Sequence, residues 1–462
     1  MLETLKKNIT INIYYFIKKN ICKNNLFFYF INMEEIKLFS SKLTSIIKDV
    51  GGTFNVRFNN GIDNKLNFKN TLYASSLLLN SESIETVISD LEEEKIVEVS
   101  KNALVKKRND DKTHIYFKKV NKQLLDMIYD EKSIFLKKYN YKLDQKRSFY
   151  IETNKPDMNL FINNTNKRFL GCDGMHIIVD KKAINNITVK ASSSNNYGIM
   201  LISGIYDVMN KIPINYHSSY SNKNNFNKKK ICETEGFLQQ IDQFSNNDII
   251  IYDRYYYSDR LHNILKNNNI GYMFRMKNNS KLFKNMHYGH HKIIKHNNVD
   301  VQLFKYKIKN NVYNILTSIT ENISICEIKA LYWRRWKIET DNKKFKYDIL
   351  RKNIRSKNFN SISSDIECVK FVSIVSSMIE YIGKSKLAEN KKFNTKNCLH
   401  VLYKKLLYLL FYDADNHIEI CRIVGIIYKK IIPIITGRMY KRVRKTPSTK
   451  WNEYGNRYGN HG

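Results

Sequence analysis

One segment in the C-terminal half carries four polar residues at a regular spacing. Tyr332, Arg335, Glu339 and Lys346 stand at offsets of 0, 3, 7 and 14 along the chain. At roughly 100° per residue, their side chains fall within a sector of about 60° on an α-helix. The spacing therefore predicts one helix, with a carboxylate, two cations and a phenol on the same stripe.

This stripe has two interpretations. A carboxylate beside cations on a helix is commonly a solvated ion-pair face. In the alternative, Glu339 binds a metal ion, and Tyr332, Arg335 and Lys346 bind phosphate groups on either side of it. The second interpretation depends on further carboxylates upstream in the chain.

Two upstream aspartates stand in suitable positions. Asp173 lies inside a predicted β-strand, and Asp253 closes a short apolar strand. Each of them could instead cap a turn. Asp180 and Asp248 are poorer candidates, because the first follows its apolar run and the second precedes its strand. Taken together, the two aspartates and Glu339 favour a catalytic interpretation.

The pattern Tyr-x2-Arg-x3-Glu-x6-Lys, with these aspartates before it, resembles the signature of DDE cut-and-paste transposases of the insertion-sequence-four group. The resemblance covers roughly residues 65 to 385. One turn departs from it, because Asp253-Arg254-Tyr255-Tyr256 stands where the family has Asp-Arg-Gly-Tyr. Glycine reaches positive φ at little cost, so the turn is predicted to need another backbone conformation.

The resemblance implies catalysis by Asp173, Asp253 and Glu339. Hydrolysis of a phosphodiester needs an activated water and a stabilised leaving oxygen, which two divalent ions roughly 4 Å apart can provide. Hard carboxylate ligands suit Mg²⁺ or Mn²⁺. We expect Asp173 to bridge two such ions, while Asp253 holds one and Glu339 the other.

The other residues of the stripe are expected to contact DNA. Arg335 and Lys346 would neutralise phosphate charge near the cleaved bond, and Tyr332 would donate a hydrogen bond to a phosphate oxygen. The resemblance implies nicking at transposon ends, followed by attack of the freed 3′-hydroxyl on target DNA. It also implies a homodimer on DNA, in which each subunit cuts the end that the other binds.

The charge of the chain agrees with a nucleic-acid partner. Lysine and arginine number 78, against 43 aspartates and glutamates, for a net charge of +35 among 462 residues. Such an excess favours a polyanion, most commonly nucleic acid, and here double-stranded DNA. Codon bias in an A/T-rich genome is a second source of lysine.

The cysteines and the apolar segments bear on location. Seven cysteines are scattered singly without a Cys-x2-Cys pair, which predicts reduced thiols and no zinc ribbon. The N-terminal segment has no run of about 18 uncharged apolar residues, so no membrane partner is expected. An intracellular protein is predicted, in the cytoplasm or nucleoid of a bacterium, or otherwise in a nucleus or viral factory.

A basic helix near the N-terminus is the candidate DNA reader. Ser100 is a plausible N-cap for a short helix that carries Lys101, Lys106, Lys107 and Arg108. With the helix before it, this segment resembles a helix-turn-helix. The alternative is a basic surface helix within a bundle.

The predicted fold class is α/β, with an RNase H-like mixed-sheet core, a β-rich insertion, and flanking helical regions at both ends. Strands are expected at 168–179, 185–191, 197–208 and 248–253. Helices are expected near 234–244, 325–350 and 364–383. The predicted domains are an uncertain N-terminal extension (1–32), a helical DNA-binding region (33–135), the first part of the core (150–260), a β-rich insertion (261–324), the core helix with Glu339 (325–390), and a helical C-terminal region with a basic tail (391–462).

Three other functions remain open at this point. A metal-dependent nuclease with the same core would cleave DNA without joining ends. An inactive transposase relic would bind DNA only, and the missing glycine after Arg254 makes this relevant. A basic structural protein unrelated to DNA chemistry would require the Tyr-Arg-Glu-Lys spacing to be a coincidence.

Overall fold

A computed structural model of the chain gives the fold. It describes residues 33–58, 66–81, 83–130, 139–153, 155–180, 197–218, 233–350, 354, 356–384, 387 and 391–433. The predicted extension 1–32, the predicted strand 185–191 and the basic tail from 437 onward lie outside these residues.

The described secondary structure follows the predicted order of helical, mixed and helical parts. The α-helices are α1 (Met33–Phe58), α2 (Phe68–Leu78), α3 (Ile84–Glu93), α4 (Lys101–Asn109), α5 (Asp111–Tyr129), α6 (Phe161–Asn164), α7 (Glu233–Leu238), α8 (Asp259–Asn267), α9 (Ile325–Arg334), α10 (Trp336–Lys343), α11 (Phe359–Lys384), α12 (Thr395–Val401), α13 (Leu407–Tyr412) and α14 (His417–Lys429). Two π-helical turns occupy Lys344–Ile349 and Leu402–Leu406.

The strands alternate with the central helices. They are β1 (Tyr141–Asp144), β2 (Phe149–Glu152), β3 (Arg168–Asp180), β4 (Tyr197–Asp207), β5 (Ile212–Ser218), β6 (Asp248–Tyr252), β7 (Gly271–Met276), β8 (His290–His296), β9 (Val299–Ile308), β10 (Asn311–Thr317), β11 (Lys391–Phe393) and β12 (Ile431–Pro433). β3, β4 and β6 match predicted strands closely, whereas β5 was not predicted.

Within the described residues, the central sheet has eight strands in the order β5-β4-β3-β6-β7-β10-β9-β8. β3, β4 and β5 are antiparallel neighbours, and β6 and β7 run parallel to β3. This arrangement of five strands, with the first in the middle, is the RNase H-like core. The α/β fold predicted from the sequence is confirmed.

The β-rich segment extends this core sheet. β10 pairs antiparallel with β7, and β9 and β8 follow outward as a meander. The predicted insertion from residue 261 includes β7, yet β7 pairs parallel with β6 after the crossover helix α8 and is the fifth core strand. The strands added to the core are therefore β8, β9 and β10.

Helices cover both faces of the sheet. On one face, α9 and α10 pack on residues that include Phe169 and Ile251. On the opposite face, α7 and α8 pack on residues that include Leu170 and Ile250. Successive strand residues point to opposite faces, so these neighbours belong to different cores.

The N-terminal and C-terminal helices share one hydrophobic core. The long helix α11 runs between them and is buried along most of its length. Polar contacts join the parts, since Thr44 Oγ1 donates to the Leu410 carbonyl at 2.8 Å and Asn121 Nδ2 donates to the Glu367 carbonyl at 2.9 Å. The two flanking regions therefore form a single helical body. None of the described helices is long and apolar enough to cross a membrane.

The predicted basic helix exists as α4, with the Ser100 hydroxyl accepting the Ala103 N–H. Its four cations have different surroundings. Lys101 and Lys106 are exposed, and Lys101 pairs with Glu85 at 2.5 Å. The side chain of Lys107 lies over a phenylalanine ring, with 3.7 Å between its nitrogen and the ring centroid.

Arg108 is buried and forms an ion pair with Asp365 of α11. The Ser356 hydroxyl also donates to this carboxylate, at 2.9 Å. Arg108 was predicted to contact DNA, but this position does not fit that role. Its buried guanidinium forms an ion pair that joins α4 to α11. Two residues of the predicted quartet are exposed to solvent, Lys106 and Lys101, the second of them within its ion pair with Glu85.

Arg108→Ala should destabilise the protein by roughly 3–5 kcal/mol, because it leaves the buried Asp365 carboxylate without its cation. Lys106→Ala on the same helix should change stability by less than about 0.5 kcal/mol. Denaturant unfolding of both variants measures the difference. Equal, small effects would show that the ion pair does not hold α4 to α11.

Candidate active site

Two neighbouring parallel strands bring the predicted aspartates close together. On β3, the odd-numbered residues Phe169, Gly171 and Asp173 share the face that α9 and α10 cover. In the β3–β6 register, Gly171 lies opposite Ile251. Asp173 follows two residues later on β3, and Asp253 directly follows the last residue of β6, Tyr252. The two carboxylates are near enough for the charge of Asp253 to raise the pKa of Asp173.

The prediction of one uninterrupted helix over these strands is wrong. At Arg335 the backbone tightens, since its N–H bonds to the Tyr332 carbonyl and its own carbonyl accepts the Ile338 N–H, each at 3.1 Å. Further on, the π-helical turn Lys344–Ile349 widens the backbone. The rule of 100° per residue therefore does not fix the direction of Lys346, although Arg335 and Glu339 still come together.

Helix α10 packs on β3 and β4 next to two glycines. A Cβ added at Gly171 would lie 3.5 Å from the side chain of Ile338. Gly204, which pairs with Asp173, leaves room for the Asn342 amide, whose Oδ1 would lie 3.4 Å from an added Cβ. The same amide donates from Nδ2 to Asp173 Oδ2 at 3.0 Å. Asn342 is thus a site residue that the sequence pattern did not indicate.

Arg335 is the central cation of the site. Its side chain is 3% exposed, and its guanidinium donates to Glu339 Oε1 at 3.3 Å. Burial acts to lower the pKa of Arg335, but the net shift is upward because of the Tyr332 phenol and three carboxylates nearby. These carboxylates belong to Asp253, Asp173 and Glu339. One buried cation thus joins the three acids that the sequence predicted.

This cation does not balance the negative charge around it. Burial, together with the charges of Glu233, Glu339 and Asp253, raises the pKa of the Asp173 carboxyl to about 7, although Arg335 acts to lower it. The negative charge of the carboxylates therefore exceeds the positive charge of Arg335, which favours binding of a further cation.

Glu233, the first residue of α7, is a fourth carboxylate that sequence analysis missed. It stands beside Gly174, where an added Cβ would lie 2.5 Å from Glu233 Cγ. Burial raises the pKa of Glu233, and the charge of Asp253 adds to this effect. No spacing in the sequence signals this residue, because Glu233 reaches Gly174 through the packing of α7 on the sheet.

The remaining predicted residues lie in different environments. Tyr332 is 2% exposed, and burial raises the pKa of its phenol to about 12. Lys346 is half-buried in the π-helical turn. Asp248, judged a poorer candidate, is buried and accepts two hydrogen bonds from Arg168, at 2.6 and 2.8 Å. Its role is to hold the start of β6 to β3.

The donor chemistry of the site suits a hard divalent cation. Asp173, Asp253 and Glu339 offer carboxylate oxygens, which Mg²⁺ and Mn²⁺ prefer. The raised pKa of Asp173 also fits a place where positive charge is lacking. In the arrangement described, however, no three His, Cys, Asp or Glu side chains are positioned to hold a metal ion. Glu339 is turned to Arg335 instead.

Comparison with known proteins gives a family match that overlaps this site. Residues 176–373, a little under half of the chain, match the family model of the transposase DDE domain. The matched stretch contains Asp253, Arg335 and Glu339 and begins three residues after Asp173. The match supports a DDE transposase, a class of enzymes that cleave DNA and transfer strands.

Solved structures give a weaker similarity. A cryo-EM structure of a piggyBac transposase synaptic complex with hairpin DNA aligns with 90% of this chain and 89% of that chain. The sequence identity is 12% and the TM-score is 0.39, which carries no argument about the site. No curated protein matches the chain.

Asp173→Asn should stabilise the metal-free protein in a pH-dependent way. The folded-state pKa of about 7 lies above the unfolded value of roughly 4, so wild-type stability falls as pH rises between them. The asparagine can still accept the Asn342 hydrogen bond and carries no charge. We expect its thermal midpoint to exceed that of the wild type by about 2 °C or more at pH 8. At pH 4 the midpoints should nearly coincide, and a constant difference at both pH values would contradict the assignment.

Proposed function

We propose that this chain is a DNA transposase of the insertion-sequence-four group, which cuts transposon ends and joins them to target DNA by a DDE mechanism. One observation carries the proposal. Asp173 on β3 and Asp253 directly after the adjacent parallel strand β6 interact with each other and with the buried Arg335, beside which the helix presents Glu339.

The three acids share one role in the proposed reaction. Asp173, Asp253 and Glu339 would hold the divalent metal ions through their carboxylate oxygens. Asn342 keeps the Asp173 carboxylate oriented through its amide hydrogen bond. When bound, Mg²⁺ or Mn²⁺, which DDE transposases generally use, supplies Lewis acidity to the phosphodiester.

Arg335 would change partner during this cycle. In the structure it neutralises Glu339, at 3.3 Å. Once Glu339 no longer accepts its hydrogen bond, the Arg335 guanidinium would direct its positive charge at the site, where a DNA phosphate could accept its hydrogen bonds. Tyr332 is buried next to Arg335, with its ring centroid 5.9 Å from the guanidinium carbon. Its phenol would therefore help to hold the Arg335 side chain in position. Lys346 would contact the phosphate backbone beyond it.

The DNA itself would be bound mainly through charge. The excess of 78 basic over 43 acidic residues favours a duplex backbone as the partner. The exposed Lys101 and Lys106 of α4 are the proposed end-binding contacts. A homodimer on DNA, with each subunit cutting the end bound by the other, is part of the proposal.

A strand-transfer assay tests the function. Purified protein would be mixed with labelled DNA that carries the ends flanking its own gene, together with a plasmid target and Mg²⁺ or Mn²⁺. We expect metal-dependent joined products with the wild type and none with Asp173→Asn, because a metal-binding carboxylate is lost while DNA binding remains.

The other outcomes separate the alternatives. Cleavage without joining would identify a nuclease, and tight binding with neither reaction would identify an inactive relic. Undiminished cleavage by pure Asp173→Asn would contradict the catalytic assignment itself.

The contribution of α4 can be measured by salt dependence. Lys101→Ala/Lys106→Ala should weaken binding to the transposon end and reduce the slope of log K against log salt by about 2, close to one per phosphate contact. Lys118→Ala/Lys122→Ala removes the same charge from exposed positions of α5 and serves as the matched control. Equal slopes for both double variants would exclude α4 from the interface.

A further inference from the structure

The turn after β6 presents an aromatic ring to solvent directly beside the candidate site. Tyr255, two residues after Asp253, is 70% exposed. Arg254 donates from its guanidinium to the Tyr255 hydroxyl at 2.9 Å, and its guanidinium carbon lies 4.8 Å from the ring centroid. The ring therefore has a cation against one face and open solvent around the other.

The backbone below this ring is well defined. The N–H of Arg254 donates to Asp253 Oδ1 at 2.7 Å, and the N–H of Tyr256 donates to the Asp253 carbonyl at 3.1 Å. Tyr256 is buried, and the Ser258 hydroxyl caps α8 directly afterwards. Tyr255 is thus the outward-facing residue of a turn that is fixed on both sides.

This turn does not need the glycine that the related family has. The described non-glycine residues with positive φ do not include Tyr255, so a side chain is accommodated here without left-handed backbone strain. The tyrosine consequently costs the fold little. It adds an exposed aromatic surface to a position where the family pattern has none.

We infer that Tyr255 is a stacking platform for an unpaired DNA base next to the phosphate that reacts at Asp253. This inference rests on the proposed function and deepens it. Asp253 and Tyr255 are separated by about 7 Å of chain at most, so a base on the ring belongs to a nucleotide close to that phosphate. Stacking on an aromatic side chain suits any base, because every base has a π-face.

Charge favours this occupant over an apolar protein surface. The Arg254 guanidinium behind the ring would attract the phosphate of the stacked nucleotide and strengthen stacking through its contact with the ring. A base in a duplex is already stacked on its neighbours. The platform therefore suits a base released from pairing at the cut end, and it would hold that end in place between cleavage and joining.

The test uses the full-length protein without divalent ions, so that DNA is bound and not cleaved. Duplexes carrying the gene-flanking ends would contain 2-aminopurine at successive positions around the cut. We expect a fluorescence change at one or two positions with wild type and with Tyr255→Phe. Tyr255→Ala should lose that change and bind the end roughly tenfold more weakly.

Tyr288 provides a matched control. It is 55% exposed and has the Lys305 ammonium 5.3 Å from its ring centroid, but it lies in the loop before β8. Tyr288→Ala should behave as the wild type. Both substitutions are at exposed positions, so unchanged thermal midpoints are expected and would exclude misfolding.

The outcomes separate the inference from the function beneath it. If the wild type binds the end and Tyr255→Ala gives the same fluorescence and affinity, the stacking role is overturned and the transposase proposal stands. Equal losses in Tyr255→Ala and Tyr288→Ala would also overturn it, since they indicate a general surface effect. A wild type that does not bind its own ends would overturn both proposals.

Discussion

The ion pair between Arg335 and Glu339 is the interaction on which the candidate site depends. Arg335 is buried, and the carboxylates of Asp253, Asp173 and Glu339 lie near it, so the site would otherwise concentrate negative charge in a poorly solvated place. The guanidinium acts to lower the pKa of Asp173, but burial and the neighbouring carboxylates still raise it to about 7. The metal-free fold is thereby kept intact while the site retains a demand for further cations. This is the physical state expected of a site that works with charged partners.

One glycine of the sheet leaves space for a residue of the site. A Cβ added at Gly174 would lie 2.5 Å from Glu233 Cγ, so a larger residue there would displace the Glu233 side chain. Added Cβ atoms at Gly171 and Gly204 would be in ordinary van der Waals contact with Ile338 and Asn342 of α10. Gly174 therefore shapes the site without taking part in its chemistry.

The alternation of the strands explains why much of this was predictable. The apolar pattern around Asp173 and Asp253 predicted two strands, and period two then decides which face each carboxylate takes. Hydrophobic patterns do not distinguish one helix type from another. The tightening at Arg335 and the π-helical turn that contains Lys346 were therefore missed. Glu233 was missed because its nearness to Asp173 comes from the tertiary packing of α7, with no spacing in the sequence to reveal it. The burial of Arg108 was missed for the same reason.

The turn after Asp253 lacks the glycine of the family pattern Asp-Arg-Gly-Tyr. Its geometry shows whether this difference damages the site. Loss of a glycine that supplied positive φ would strain the turn and displace Asp253, but Tyr255 has no positive φ and the turn keeps both its hydrogen bonds to Asp253. The tyrosine is therefore compatible with an intact end of β6, and it alters only what the turn presents to solvent. The absence of the glycine is thus not evidence of damage to the site.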